Sequence, residues 1–180
     1  MPEGSEGLTP ADIHHLRAAD GWKDLGLPAE AARELDQLSP MGAVHPVSLD
    51  VRSSISGTLG DWAESHRLAS LNVHLHPGHE AGWISRAYAA RRMPGGGLAH
   101  ARDQLLPALD RFPENTLIPY NLACYACQLH DLDRAMAWFT VAEGRDAAFS
   151  DKPGKVRAMA LKDEDLVPIH GWIRNGMKPR

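Results

Sequence analysis

Two cysteines, Cys124 and Cys127, stand in a CxxC, a spacing that elsewhere carries zinc or thiol–disulfide chemistry. A redox pair of that kind opens a helix, where the dipole lowers the thiol pKa. Here the surrounding IPYNLACYACQL reads as the middle of a helix. No second CxxC completes a four-ligand zinc site, and His130 would supply only a third ligand. Small thiols packed between helices are the expected role. A second cluster is His74, His76, His79 and Glu80 in LNVHLHPGHE. Imidazole and carboxylate suit zinc, but the stretch falls on a helix exit around Pro77, where histidine is favourable without any metal. The run Pro94-Gly95-Gly96-Gly97 lacks the Gly-Lys-Ser/Thr that a phosphate cradle needs, so it is expected to be a helix–helix turn. No Ser-His-Asp arrangement sits on a strand–Ser–helix elbow. The chain is read as non-catalytic and without a cofactor, with the histidine loop or the CxxC as the alternative metal or redox site.

The elements that hold these residues follow from composition and periodicity. The chain has 180 residues, 43% of them hydrophobic and 23% charged. That is enough apolar side chain for a core, and it excludes general disorder. The formal charge of −4 lacks the basic excess of a nucleic-acid binder. No apolar run approaches the length of a membrane span, and MPEGSEGLTP lacks the regions of a secretory signal. A cytoplasmic location is expected.

An internal period then appears. Gly26 and Gly60 are separated by 34 residues, Pro94 follows after another 34, and His130 comes 36 further on. Five residues past each turn lie Ala31, Ser65, Ala99 and Ala135, and seven before each lie Ala19, Ser53, Ala87 and Ala123. Paired helices approach closely only where both carry small residues. A glycine turn between them supplies positive φ. Pro28 suits the first position of a helix, and Asp61 and Asp131 are placed to cap others.

A helix–turn–helix period of this length resembles the tetratricopeptide repeat. The fourth segment carries it most clearly, with Leu122, Ala123, Ala126, Ala135, Phe139 and Ala142. Trp83 matches the helix-opening tryptophan of the third, and Trp62, Trp83 and Trp138 fall at packing positions. The strings IPYNLACYACQL and VRAMALKDEDLVPI are similar to those of a bacterial group in which a closing segment caps the last repeat. The resemblance implies an all-α, right-handed superhelical solenoid of antiparallel helix pairs, about four repeats long, with a helical cap. It places a flexible start at 1–9, an array at 10–147 (repeats 12–45, 46–79, 80–115 and 116–147), a cap at 148–177 and a tail at 178–180. Val156, Met159, Leu161, Leu166 and Trp172 would form the apolar face of the cap.

In this fold the first helix of each pair lines a concave groove that holds a peptide or a partner's helix. The outward positions would be Ile13, Leu16, Asp20, Lys23 and Asp24, then Val47, Asp50 and Ser54, then Ile84, Tyr88, Arg91 and Arg92, and last Tyr120, Cys124 and Gln128. The places of the Lys and Asn set that grips chaperone tails in this family are held here by Leu16, Asp20, Asp50, Ser54, Ile84 and Tyr88. Tyrosine and arginine carry much interface energy, so Tyr88, Arg91, Arg92, Tyr120 and Asn121 are the expected contact patch for an acidic protein or peptide. Gln128, Asp20 and Lys23 lie along the same groove. Neither nucleic acid nor a membrane is expected as partner; self-association into a homodimer is the alternative.

Overall fold

The computed structural model describes residues 7–176. Among them every regular element is helical, and no helix is long and apolar enough to cross a membrane. Two compact units divide at Gly96 and Gly97, inside the segment expected as the third repeat.

The first unit holds α1 (Pro10–Asp24), α2 (Pro28–Leu35), the single turn α3 (Pro40–Ala43), α4 (Pro46–Thr58), α5 (Trp62–Leu75) and α6 (Glu80–Arg92). The second holds α7 (Leu98–Leu105), α8 (Ala108–Arg111), α9 (Leu117–Gln128), α10 (Leu132–Phe149), α11 (Lys155–Ala160), a 3-10 helix (Glu164–Ile169) and α12 (His170–Arg174).

Of the four turns expected within the helix pairs, three use one device. Gly26 and Gly60 adopt positive φ, and so does His130, at +63°. In each case the N–H of that residue bonds three residues back and the next N–H bonds five back: Leu27 to Trp22, Asp61 to Ser56, and Asp131 to Ala126. This is the Schellman closure, which satisfies the orphan carbonyls of the first helix. Asp61 and Asp131 then cap the second helix through the N–H groups of Glu64 and Arg134. Pro28 opens α2 as expected.

The remaining turn departs from this. Gly95, not Pro94, takes the positive φ, and the Gly96 N–H bonds the Met93 carbonyl. Proline followed by a positive-φ glycine makes a type II turn. Gly96 passes so close to the Ala90 carbonyl that any Cβ would collide with it. The different turn delays α7, so the small residue buried in its first turn is Ala101, while Ala99 is exposed. The expected Ala99 packing position is corrected accordingly.

The other seven small positions are all buried: Ala19, Ala31, Ser53, Ser65, Ala87, Ala123 and Ala135. Ser53 and Ser65 touch directly, with the Ser53 hydroxyl 2.9 Å from the Ser65 carbonyl. Each unit also has one polar knot. In the first, the buried Asp12 carboxylate accepts from the Thr9 N–H and hydroxyl and from the Ser39 N–H and hydroxyl. These four donors hold its pKa far below the ordinary carboxylate range, the Thr9 hydroxyl most strongly. Thr9 is therefore the N-cap of α1, and Leu8 packs on the core of this unit. Both fall within 1–9, the segment expected to be flexible; the rest of the expected loose ends, 1–6 and 178–180, lies outside the described residues. In the second unit, the Arg145 guanidinium donates to the carbonyls of Leu109, Phe112 and Asn115, closing the end of α8.

Candidate partner-binding site

In the first unit α4 packs against both α5 and α6. Between them lies a pocket of about 490 Å³, lined by Ser53, Ser54, Gly57 and Thr58 of α4, Trp62 and Ser65 of α5, and Ile84, Ser85 and Tyr88 of α6. Its floor depends on a missing side chain. The Trp62 ring lies on Gly57, where a Cβ would sit 2.8 Å from an indole carbon. A glycine inside a helix costs about 1 kcal/mol relative to alanine, and here it makes the room for Trp62.

The rim is aromatic and cationic. Trp62 and Tyr88 meet edge to face, with ring centroids 5.8 Å apart. The Arg92 guanidinium lies 3.6 Å from the Tyr88 centroid and 5.3 Å from that of Trp62. One of its nitrogens donates to the Tyr88 carbonyl at 3.1 Å, and no carboxylate pairs with it among the described residues. Stacking fixes the plane of a guanidinium and leaves its edge free to bind a carboxylate with two hydrogen bonds. Tyr88 is 47% exposed. Arg91 is partly exposed and already has interactions within the chain.

The other expected groove residues sit differently. Lys23 and Asp20 pair with each other on α1 at 2.9 Å. Leu16 is buried in the core, and Asp50 receives Asn72 and His79. The larger correction concerns α9. Nine of its twelve residues are buried, and the face expected to meet a partner is covered by the chain's own C-terminal segment. The Tyr120 hydroxyl donates to Asp163 at 2.7 Å, the Cys124 thiol points to the same carboxylate, and the Gln128 amide donates to the Asp165 carbonyl. Tyr120 is only 5% exposed, so it anchors the cap instead of facing a partner. Asn121 bonds back to Leu117 of its own helix. The physical reason is burial: a helix that is apolar on most sides needs cover on most sides. Leu166, Ile169 and Ile173 supply it, and Val156, Met159, Leu161 and Trp172 pack in the same cluster.

The sequence-level metal candidates do not converge. The His79 imidazole meets the Asp50 carboxylate, His76 bonds the Val44 carbonyl, and His74 and Glu80 are exposed. Cys124 and Cys127 are both buried. One cluster with ligand-type atoms within 4.8 Å of one another is Cys124, Asp163 and Asp165. Burial first, and then the two carboxylates, push the Cys124 thiol well above its ordinary pKa. That favours a neutral thiol donating to Asp163. Tyr120 is pushed upward likewise, by burial and by Asp163. The hydrogen bonds from Tyr120 and Cys124 to Asp163 and from Gln128 to the Asp165 carbonyl anchor the cap on α9.

Sequence comparison adds little: no family model matches the chain, and no curated protein matches it. Solved structures do. The chain is similar to "MamA 41-end from Desulfovibrio magneticus RS-1" at 14% identity, with a TM-score of 0.63 and 94% of each chain covered. It is also similar to "MamA RS-1 ArsTM double mutant" at 15% identity, with a TM-score of 0.62 and coverage of 93% of this chain and 91% of that one. At such identities the likeness speaks for the fold alone: an all-α solenoid of the tetratricopeptide-repeat type.

Proposed function

We propose that this chain is a non-catalytic protein-interaction module that holds a segment of a partner protein in the pocket between α4, α5 and α6. The observation that carries the reading is that pocket, with the half-exposed Tyr88 at its rim beside Arg92, which pairs with no carboxylate among the described residues. Concave, mainly apolar sites with a few placed polar groups are where ligands bind, and tyrosine and arginine are the residue types that dominate interfaces. Ser54 and Ser85 offer hydroxyls from facing helices to a partner's backbone. The fold supports the reading as an analogy, since fold alone does not fix function. The strings IPYNLACYACQL and VRAMALKDEDLVPI support a finer placement, among bacterial repeat proteins with a C-terminal capping segment and a cytoplasmic location.

The test is affinity capture from the native lysate, with the wild type beside an Arg91→Glu, Arg92→Glu variant. The reading expects a protein retained by the wild type and lost by the variant. Retention by both baits, or by neither, contradicts it.

A further inference from the structure

The helix turns give a common register for the first helix of each pair. Counted back ten, six and two residues from the first residue past the helix C-cap, His130 for α9 and Pro94 for α6, α9 presents Tyr120, Cys124 and Gln128, and α6 presents Ile84, Tyr88 and Arg92. Counted from Gly60, Ser54 of α4 corresponds to Cys124 and Tyr88. The same face is therefore seen twice, once covered and once open.

On α9 the cover is the segment Asp163-Glu164-Asp165-Leu166-Val167-Pro168-Ile169. Its acidic end receives hydrogen bonds from the face: Tyr120 donates to the Asp163 carboxylate and Gln128 to the Asp165 carbonyl. Its aliphatic end supplies Leu166 and Ile169 to the core. On α6 the corresponding face is open. The position of Gln128 is taken by Arg92, and the position of Tyr120 by Ile84 at the wall of the pocket. A neutral donor is thus replaced by a stacked guanidinium, and a phenol by an aliphatic wall. The exchange raises the preference for a carboxylate at the rim and for an apolar side chain inside.

We infer that the α4–α6 pocket takes a partner segment of acidic-then-aliphatic character, of the same chemistry as the chain's own 163–169, with a carboxylate on Arg92 and a leucine-sized side chain against Ile84 and Trp62. This rests on the proposed role of that pocket. The stacked Arg92 guanidinium, which no carboxylate pairs among the described residues, matches the single charge of a carboxylate, whereas a phosphomonoester carries nearly two.

The probe is the fluorescein-labelled amide Lys-Asp-Glu-Asp-Leu-Val-Pro-Ile, titrated by anisotropy against the full chain. Two companions are Lys-Asn-Gln-Asn-Leu-Val-Pro-Ile, without carboxylates, and Lys-Asp-Glu-Asp-Ser-Ser-Pro-Ser, without the aliphatic end. Both companions should bind about tenfold more weakly or worse. Two substitutions outside the buried core serve as tests: Ser54→Phe, at an exposed position, fills the pocket, and Arg92→Gln, at a half-buried one, removes the charge. Each should weaken the acidic–aliphatic peptide to a similar degree at an unchanged melting temperature, and Arg92→Gln should erase its advantage over the neutral companion. Equal binding of the charged and neutral peptides overturns the inference. So does binding that ignores both variants, which would mean that the probe displaces the chain's own cap. Failure of all three peptides overturns it as well, and if an Arg92-dependent partner is still captured from lysate, the pocket keeps its role and only the occupant is wrong. An Arg92-dependent dimer seen by sedimentation would make a second copy the occupant and equally overturn it.

Discussion

Ser54 in the first unit and Cys124 in the second occupy the same register position, six residues before a Schellman turn, yet Ser54 is exposed and Cys124 is 4% exposed. Nothing local explains the difference. Both helices close in the same way and present small residues to their partners at equivalent places. What differs is the rest of the chain: the second unit lays an acidic-then-aliphatic segment over α9, and the first leaves α4 and α6 bordering a pocket. A repeat therefore determines where a face points and leaves open whether the chain itself covers it. The cover stabilises one unit, and its absence leaves the other with an open pocket.

The comparison can be broken most strongly at Leu166, the fully buried leucine that the cap itself lays against the core. Leu166→Ala should cost about 3 kcal/mol through lost burial and a residual cavity, measured by denaturant unfolding, and it should expose the α9 face. A loss below about 0.5 kcal/mol would mean that the cap does not cover that face.

The first unit is fixed instead by its polar knot. Asp12→Asn keeps the shape but cannot serve all four donors, and should cost about 2 kcal/mol. Gly42 makes the site intolerant of repair, because a Cβ there would lie 2.5 Å from an Asp12 oxygen. The depressed pKa also gives a sign. The contribution of Asp12 is complete above the ordinary carboxylate range and is lost as pH falls through the folded-state pKa. Wild type should therefore lose stability on acidification below about pH 4 more steeply than Asp12→Asn. Parallel acid-melting curves would remove the carboxylate from that role.

A smaller effect sharpens the register. Ala101→Leu should overpack α7 by about 2 kcal/mol, whereas Ala99→Leu should stay within about 0.5 kcal/mol. Equal effects in thermal melts would restore the undisturbed period. Smallest of all, His130→Gly should add up to about 1 kcal/mol, because histidine there holds a positive φ that glycine adopts without a Cβ clash. A destabilised His130→Gly chain would show that the imidazole contributes something beyond the turn.

Much of this was legible in residue order. Gly26, Gly60 and His130 mark the turns because a Schellman closure needs a left-handed residue at a fixed distance from the small packing positions. Trp62 and Tyr88 were visible, but the pocket was not, since it depends on Gly57 standing under an indole that follows five residues later in the next helix. The third turn misled the count, because Pro94-Gly95 forms a different turn type and moves the buried alanine from 99 to 101. Tyr120 was misread for a deeper reason. Its helix position was right, but its exposure depended on a segment more than forty residues away docking on it. One signal was available: IPYNLACYAC is apolar around most of its circumference, Asn121 excepted, and such a helix is covered on most sides.

The central claim, one face covered and its counterpart open, can be tested directly with thiols. Native protein at pH 8 should show no fast-reacting thiol towards dithionitrobenzoate, because Cys124 and Cys127 are buried and their pKa values are raised by burial and by the Asp163 and Asp165 carboxylates. Ser54→Cys, at the position equivalent to Cys124, should add one fast-reacting thiol per chain, and Leu166→Ala should speed the reaction of Cys124. Native Cys124 reacting as fast as the thiol introduced at position 54 would contradict the account.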